Sequence, residues 1–168
     1  MTNAQDPVKD LKRIAEIARL RLHEDGVDEI LNQYVQQAAA EFQLPIGLVS
    51  IVMDDVQKFA ASHGLAGWLA DTNSTPVEWS FCATSVKTEE PYVIEDASQS
   101  EQKDNPLVAI DNVKCYAGAP LVTKNGAVVG NFCVIGDQSR NFSDEEVARL
   151  KEFANMAMER IEARIEED

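Results

Sequence analysis

The sequence predicts an α+β domain: a central antiparallel sheet of five to six strands, long N- and C-terminal helices on one face, and short helices with loops over the other. Three observations carry this. Residues 115–135 hold two apolar, β-branched runs around Asn125-Gly126, a dipeptide that tolerates the positive φ of a type I′ hairpin turn. Asn141-Phe142-Ser143-Asp144-Glu145-Glu146 then supplies an N-cap serine, an acidic first turn and a glutamate at the third helical position, so a long helix follows the hairpin. At the other end of the chain, two segments repeat apolar residues at helical spacing before strand patterning begins at Ile46.

In order, residues 7–22 place Val8, Leu11, Ile14, Ala15, Ala18 and Leu22 on one helical face, and Pro7 suits a first helical position. Glu24-Asp25-Gly26 breaks that helix. Val27, Ile30, Leu31, Tyr34, Val35, Ala38 and Phe42 form a second stripe, which Pro45 and Gly47 end. Residues 46–53 and 57–62 read as strands joined at Asp54-Asp55. From 64 to 76 the pattern dissolves into a surface connection. Thr75-Pro76-Val77-Glu78 has capping-box spacing with proline at the first helical position, so a short helix should carry Trp79, Phe81 and Cys82 towards the sheet. Residues 91–95 are a further strand, 96–103 a polar loop, and Asp104-Asn105-Pro106 opens a second short helix. In the terminal helix Val147, Leu150, Ala154, Ala157 and Ile161 step by three and four, Ile165 adds a turn, and Phe153, Met156 and Met158 widen the stripe. The whole is one domain, 1–168: an N-terminal helical part to 25, a core over 26–142 and a C-terminal helix over 143–168.

Parity sorts the hairpin faces. With Asn125 and Gly126 as the two loop residues, Lys124 pairs with Ala127 and paired numbers sum to an odd value throughout. Cys115, Ala117, Ala119, Leu121, Val128, Gly130, Phe132 and Val134 then share an apolar face suited to packing under the long helices. Tyr116, Gly118, Pro120, Val122, Val129, Asn131, Cys133 and Ile135 share the other, which carries a phenol, an amide and a thiol and suits a ligand. A loop one residue longer would swap the pairing. Cys115 and Cys133 fall on opposite faces, which disfavours a disulfide.

These residues carry a family resemblance. Cys115-Tyr116-Ala117-Gly118-Ala119-Pro120-Leu121, then Gly126, then Gly130-Asn131-Phe132-Cys133-Val134-Ile135 resembles the final strand pair of bacterial GAF domains. Phe81-Cys82-Ala83-Thr84, Pro91, Asp96-Ala97-Ser98 and Asp104-Asn105-Pro106-Leu107-Val108 match the same family in the same order, so the likeness spans about residues 26–161. It implies a small sensory or regulatory module, usually embedded in larger signalling proteins, with any ligand held between the sheet and the short-helix side. It does not imply one ligand. Many relatives carry an Arg-Phe pair where this chain has Gln99-Ser100-Glu101-Gln102-Lys103, and an aromatic residue where it has Cys115. If the family pocket uses those groups, this one is remodelled or unused.

Charge and composition exclude several classes. The formal net charge is −14, and residues 22–139 hold no arginine, only Lys58, Lys87, Lys103, Lys114 and Lys124. A nucleic-acid binder needs a basic face to displace counterions from phosphates, and an anionic membrane surface is disfavoured by the same field. No apolar run approaches the roughly 20 residues of a membrane span, and the first ten residues lack a signal-peptide core. A cytoplasmic location is therefore expected. Three cysteines without a CxxC pair, and only His23 and His63 as imidazoles, support neither a disulfide framework nor a zinc site.

The candidate ligand-binding residues are Tyr116, Asn131 and Cys133 on the hairpin, Phe81, Cys82 and Ser85 on the short-helix side, and Asp96 and Asn105 in the loops. Asn131 is the most telling, because an amide inside an apolar strand costs free energy unless it is paired. Asn105, like Asp104, also reads as a helix cap before Pro106. No catalytic or metal-binding residue is assigned, and the cofactor is unknown. The expected function is a non-catalytic sensory or regulatory small-molecule-binding module. It would signal through a downstream partner protein and form a homodimer through the terminal helices, whose apolar stripe exceeds what one-sided packing needs.

Alternatives remain. The resemblance includes one enzymatic branch, free methionine-(R)-sulfoxide reductase, and Cys82, near a helix start, is the only cysteine with an argument for a lowered pKa; the loop over 96–112 supplies no second cysteine. Bilin attachment lacks the family's Cys-His pair, haem ligation has only the residue type behind it, and cyclic-nucleotide binding stays open. A module with no ligand at all is the third reading.

Overall fold

Glu29–Phe42 forms α2 because Leu31, Val35, Ala38, Ala39 and Phe42 recur on one side and bury there. It ends at Gln43, which takes the left-handed conformation (φ 57°) while Leu44 N–H donates to the Ala39 carbonyl at 2.9 Å, closing the last turn without a glycine. The computed structural model describes residues 11–21, 29–53, 56–64, 74–76, 86, 88–97, 105 and 113–166, with the backbone alone at 74–76 and 164–166. Among these, α1 is Leu11–Arg19 and α3 is Asp144–Glu166. The strands are β1 (Ile46–Val52), β2 (Val56–His63), β3 (Ser74–Pro76), β4 (Tyr92–Ile94), β5 (Cys115–Val122) and β6 (Val128–Gly136).

The six strands lie in the order β3-β2-β1-β6-β5-β4, with every neighbouring pair antiparallel. One face packs beneath α1, α2 and α3 through Val49, Ile51, Ala119, Leu121, Phe132 and Val134, and the Phe132 ring stacks on Phe153 with centroids 5.3 Å apart. The opposite face carries a second core of Leu48, Val52, Phe59, Ile94, Tyr116, Cys133 and Ile135, joined by Val86, Ala97 and Val113. The expected α+β layout, helices on one face of an antiparallel sheet, is what the chain adopts.

The cap of α3 is the one read from sequence. Ser143 N–H donates to Glu146 Oε1 at 3.0 Å and Glu146 N–H donates to Ser143 Oγ at 3.1 Å, satisfying two helix-end donors reciprocally. Four expectations change. Thr75-Pro76, expected to open a short helix, lies instead in an edge strand, Ser74–Pro76, paired with Val56–Lys58; proline is tolerated there because an edge leaves its missing N–H unneeded. Residues 77–85 lie outside the described residues.

The hairpin turn also differs. Gly126 alone has positive φ (85°), Gly126 N–H donates to the Thr123 carbonyl, and Thr123 N–H donates to Ala127, so the loop is Lys124-Asn125-Gly126 rather than Asn125-Gly126. This is a type I turn with glycine at the left-handed position. The longer loop does shift the pairing near the turn, but a register change between Leu121 and Val122 absorbs one residue. Val128 therefore joins the second core and Val129 the helix-covered one, the reverse of their expected places, while Tyr116, Asn131, Cys133 and Phe132 keep theirs.

Helix α1 buries a different face from the one expected. Leu11 is 82 % exposed, Ala15 and Ala18 are exposed, and the buried side holds Arg13, Glu16, Ile17 and Leu20. The buried polar pair has partners: Arg13 donates to the Val52 carbonyl at the end of β1, and Glu16 binds the hairpin turn. Lastly, the apolar surplus expected on α3 is largely covered by the sheet, since Phe153 and Met158 are buried and Met156 is half-buried.

Candidate functional site

Strand pairing sets the site. On the sheet face away from the long helices, Ser50 of β1 lies opposite Asn131 of β6, and Asn131 lies opposite Pro120 of β5. Tyr116 and Gly118 occupy the same side of β5, because side chains two residues apart share a face. Asn131 Nδ2 donates to Tyr116 Oη at 2.9 Å. Both residues are fully buried.

The phenol reaches the amide by lying over Gly118. A Cβ at that position would sit 2.4 Å from Tyr116 Oη and 2.6 Å from Asn131 Nδ2, so only glycine leaves room for the pair. Tyr92, from β4, flanks the Tyr116 ring with centroids 6.0 Å apart and planes tilted by 54°. On the β1 side, Ser50 Oγ donates to Gln57 Oε1 at 2.9 Å, again between buried groups. A row of phenol, amide, hydroxyl and amide thus crosses β5, β6, β1 and β2, walled by Leu48, Val52, Phe59, Cys133 and Ile135.

The row is electrically neutral. Its four side chains donate and accept hydrogen bonds without carrying charge, which suits an uncharged polar molecule and leaves a phosphate with no cation to meet among them. No group of three or more His, Cys, Asp or Glu arranged to hold a metal occurs among the described residues. Cys115, on the other side of β5, is buried opposite Gly136 of β6. Burial pushes its thiol up, against a smaller opposing pull from the Gly136 backbone, so it is held away from the thiolate form.

Of the sequence-predicted residues, the structure brings Tyr116, Asn131 and Cys133 together in one buried cluster. Asp96 is half-buried two residues beyond β4, and Asn105 is half-buried at a bend. Phe81, Cys82 and Ser85 lie outside the described residues. Ser50 and Gln57 escaped the sequence reading. Ser50 is the only polar side chain in Ile46–Val52, the same kind of signal as Asn131. Gln57 gave no such sign, because a register shift between Val49 and Ser50 decides which face it takes.

Comparison with known proteins shows the family and the fold. The family model for the GAF domain matches residues 26–161. A cyclic di-GMP phosphodiesterase of Pseudomonas aeruginosa is 36% identical over 158 residues, which cover 92% of this chain and 26% of that protein. The chain thus spans about a quarter of the length of this curated relative. Among solved structures, the GAF domain of a phosphoenolpyruvate-protein phosphotransferase from Coxiella burnetii superimposes with a TM-score of 0.67 at 19% identity, covering 98% of each chain. The corresponding domain from Acinetobacter gives 0.67 at 18% identity, over 97% of this chain and 96% of that one. The chain belongs to the GAF domain family.

Proposed function

We propose that this chain is a non-catalytic sensory or regulatory module that holds a small uncharged ligand against the Tyr116–Asn131 face and passes its state to a signalling partner. The observation that carries this reading is the buried neutral row of Tyr116, Asn131, Ser50 and Gln57 in an apolar surround. Placing four polar side chains on a sheet face that could have been wholly apolar costs free energy unless each is paired. A built set of donors and acceptors within apolar walls is the usual character of a small-molecule site. Cys133 lines the same cluster, and Asp96 and Asn105, with Phe81, Cys82 and Ser85 beyond the described residues, complete the proposed lining.

The likeness to part of a cyclic di-GMP phosphodiesterase supports a regulatory setting, with the partner or attached enzyme carrying the chemistry. A homodimer through the terminal helices would bring two such sensors side by side, and the exposed Leu11, Ala15 and Ala18 of α1 supply its apolar contact.

Native mass spectrometry of protein purified from its own host tests the ligand. A retained small molecule, or a metabolite that raises the melting temperature and ceases to do so in Asn131→Leu and Tyr116→Phe, supports the reading. Methionine sulfoxide turnover with a dithiol reductant, lost in Cys82→Ser, would replace it with a redox enzyme.

A further inference from the structure

The tip of the β5–β6 hairpin is gripped from two sides by the ends of the molecule. Glu16 of α1 lies off the apolar stripe of residues 7–22, yet it is buried. Its Oε1 accepts from Thr123 Oγ1 at 2.8 Å and from Asn125 Nδ2 at 3.0 Å, both in the hairpin turn. Its Oε2 accepts from Arg19 Nε at 2.7 Å, and Arg19 Nη2 reaches on to α3, 3.0 Å from Glu162 Oε1 and 3.2 Å from Oε2. Glu162 Oε2 in turn accepts the backbone N–H of Lys124 at 2.9 Å, so each terminal helix holds the turn through a carboxylate and one guanidinium ties the two carboxylates together.

We propose that this Glu16–Arg19–Glu162 clamp is the joint through which the hairpin and both terminal helices move as one body, so that a displacement of β5 and β6 at their buried polar face is carried to the chain ends. The mechanical argument is one of continuity. Tyr116 and Asn131 sit on the two strands whose far end is the clamped turn, and paired strands displace together because their ladder holds them in register. At the turn, displacement has to break charge-assisted hydrogen bonds or carry the helices along, and such bonds are about twice as strong as neutral ones. Apolar packing is non-directional: α1 meets the core through Ile17 and Leu20, whose contacts set no bond direction, whereas the three-way carboxylate and guanidinium geometry fixes both distance and direction.

The link from ligand to clamp rests on the function proposed above, but the clamp itself is testable without any ligand, so the two can fail separately. Amide hydrogen exchange on the 168-residue chain reads it directly. In Glu162→Gln and Glu16→Gln, the amides of Lys124, Gly126 and Ala127 should exchange about tenfold faster or more, and α1 should lose protection when Glu162, a residue of α3, is the one changed. Reciprocally, Asn125→Ala in the turn should loosen amides in α1, because coupling free energy is the same in both directions. Glu41→Gln, which removes the separate Arg149–Glu41 pair between α2 and α3, serves as the control and should leave the turn unchanged. If Glu16→Gln does not fold, Glu162→Gln and Asn125→Ala still decide the matter. Turn amides within twofold of the parent in Glu162→Gln, or loosening confined to the helix that was altered, would overturn the proposal.

Discussion

At Gly118 the absence of a side chain is what permits a hydrogen bond elsewhere. A methyl group there would stand 2.4 Å from Tyr116 Oη and 2.6 Å from Asn131 Nδ2, and both neighbours are buried. Gly118→Ala should therefore destabilise by about 1–3 kcal/mol, the usual range for overpacking a core. Removing the phenol oxygen relieves the closest contact, so the penalty in a Tyr116→Phe background should be smaller than in the parent, a non-additivity expected of residues that share space. Urea denaturation of the four proteins checks this, and strictly additive effects would mean the phenol does not lie over Gly118. Asn131 could be read from sequence because it interrupts an apolar strand. The roles of Gly118 and Gln57 could not, because one depends on where a neighbouring ring lies and the other on a register shift in β1–β2.

Elements show the same division between what is local and what is not. The α3 cap needs only four consecutive residues to form, so Ser143 and Glu146 announced it. Ser143→Ala should cost about 1 kcal/mol in thermal or urea unfolding. The hairpin was legible as a hairpin but not as to its loop length, since Asn-Gly fits both a two-residue turn and the third position of a type I turn with a bulge. The faces of Tyr116 and Asn131 were nonetheless right because the register change near Val122 restored the count. Gly126→Ala meets no neighbouring atom within 4 Å, and its cost of about 1 kcal/mol should come from the left-handed backbone alone.

Helix α1 was misread for a physical reason: its amphipathic stripe is real, but the opposite side carries Arg13 and Glu16, whose partners are a strand-end carbonyl and a turn that no local pattern reveals. Glu16 also makes a pH prediction. Arg19 above all, then Thr123 and Asn125, lower its pKa from an ordinary 4.5 to about 2 against the opposing effect of burial. A carboxylate with a depressed pKa in the folded state contributes stability that is complete above its unfolded value and is lost as pH falls from about 4.5 towards 2. The charged group paired with it is Arg19 on its own helix, which also reaches Glu162 of α3. Glu16→Gln should be less stable than the parent at pH 7, and the gap should narrow as pH falls below about 4.5 towards 3. Parallel stability curves for the two proteins between pH 7 and 3 would show that the clamp does not favour the ionised carboxylate.

Over the whole molecule, the surplus of carboxylates governs how copies approach one another. A formal charge of −14 on 168 residues repels a second copy at long range, while α1 presents Leu11 at 82 % exposure beside exposed Ala15 and Ala18. The two effects differ in their response to salt: raising ionic strength from about 0.01 to 1 M shortens the screening length from about 30 to 3 Å and leaves apolar burial in place. The proposed association through the terminal helices should therefore strengthen with salt, the reverse of an interface held by ion pairs. Burying a leucine contributes about 1.5–3 kcal/mol, and a two-fold interface counts each contact twice. Leu11→Glu removes that contribution and adds two more negative charges to the pair. Sedimentation velocity at low and high salt should show the parent shifting towards a dimer, and Leu11→Glu dissociating at least tenfold more readily at both. An unchanged dissociation constant in the variant would place the contact on another surface, and a dimer that weakens with salt would assign it to charge instead of the apolar side of α1.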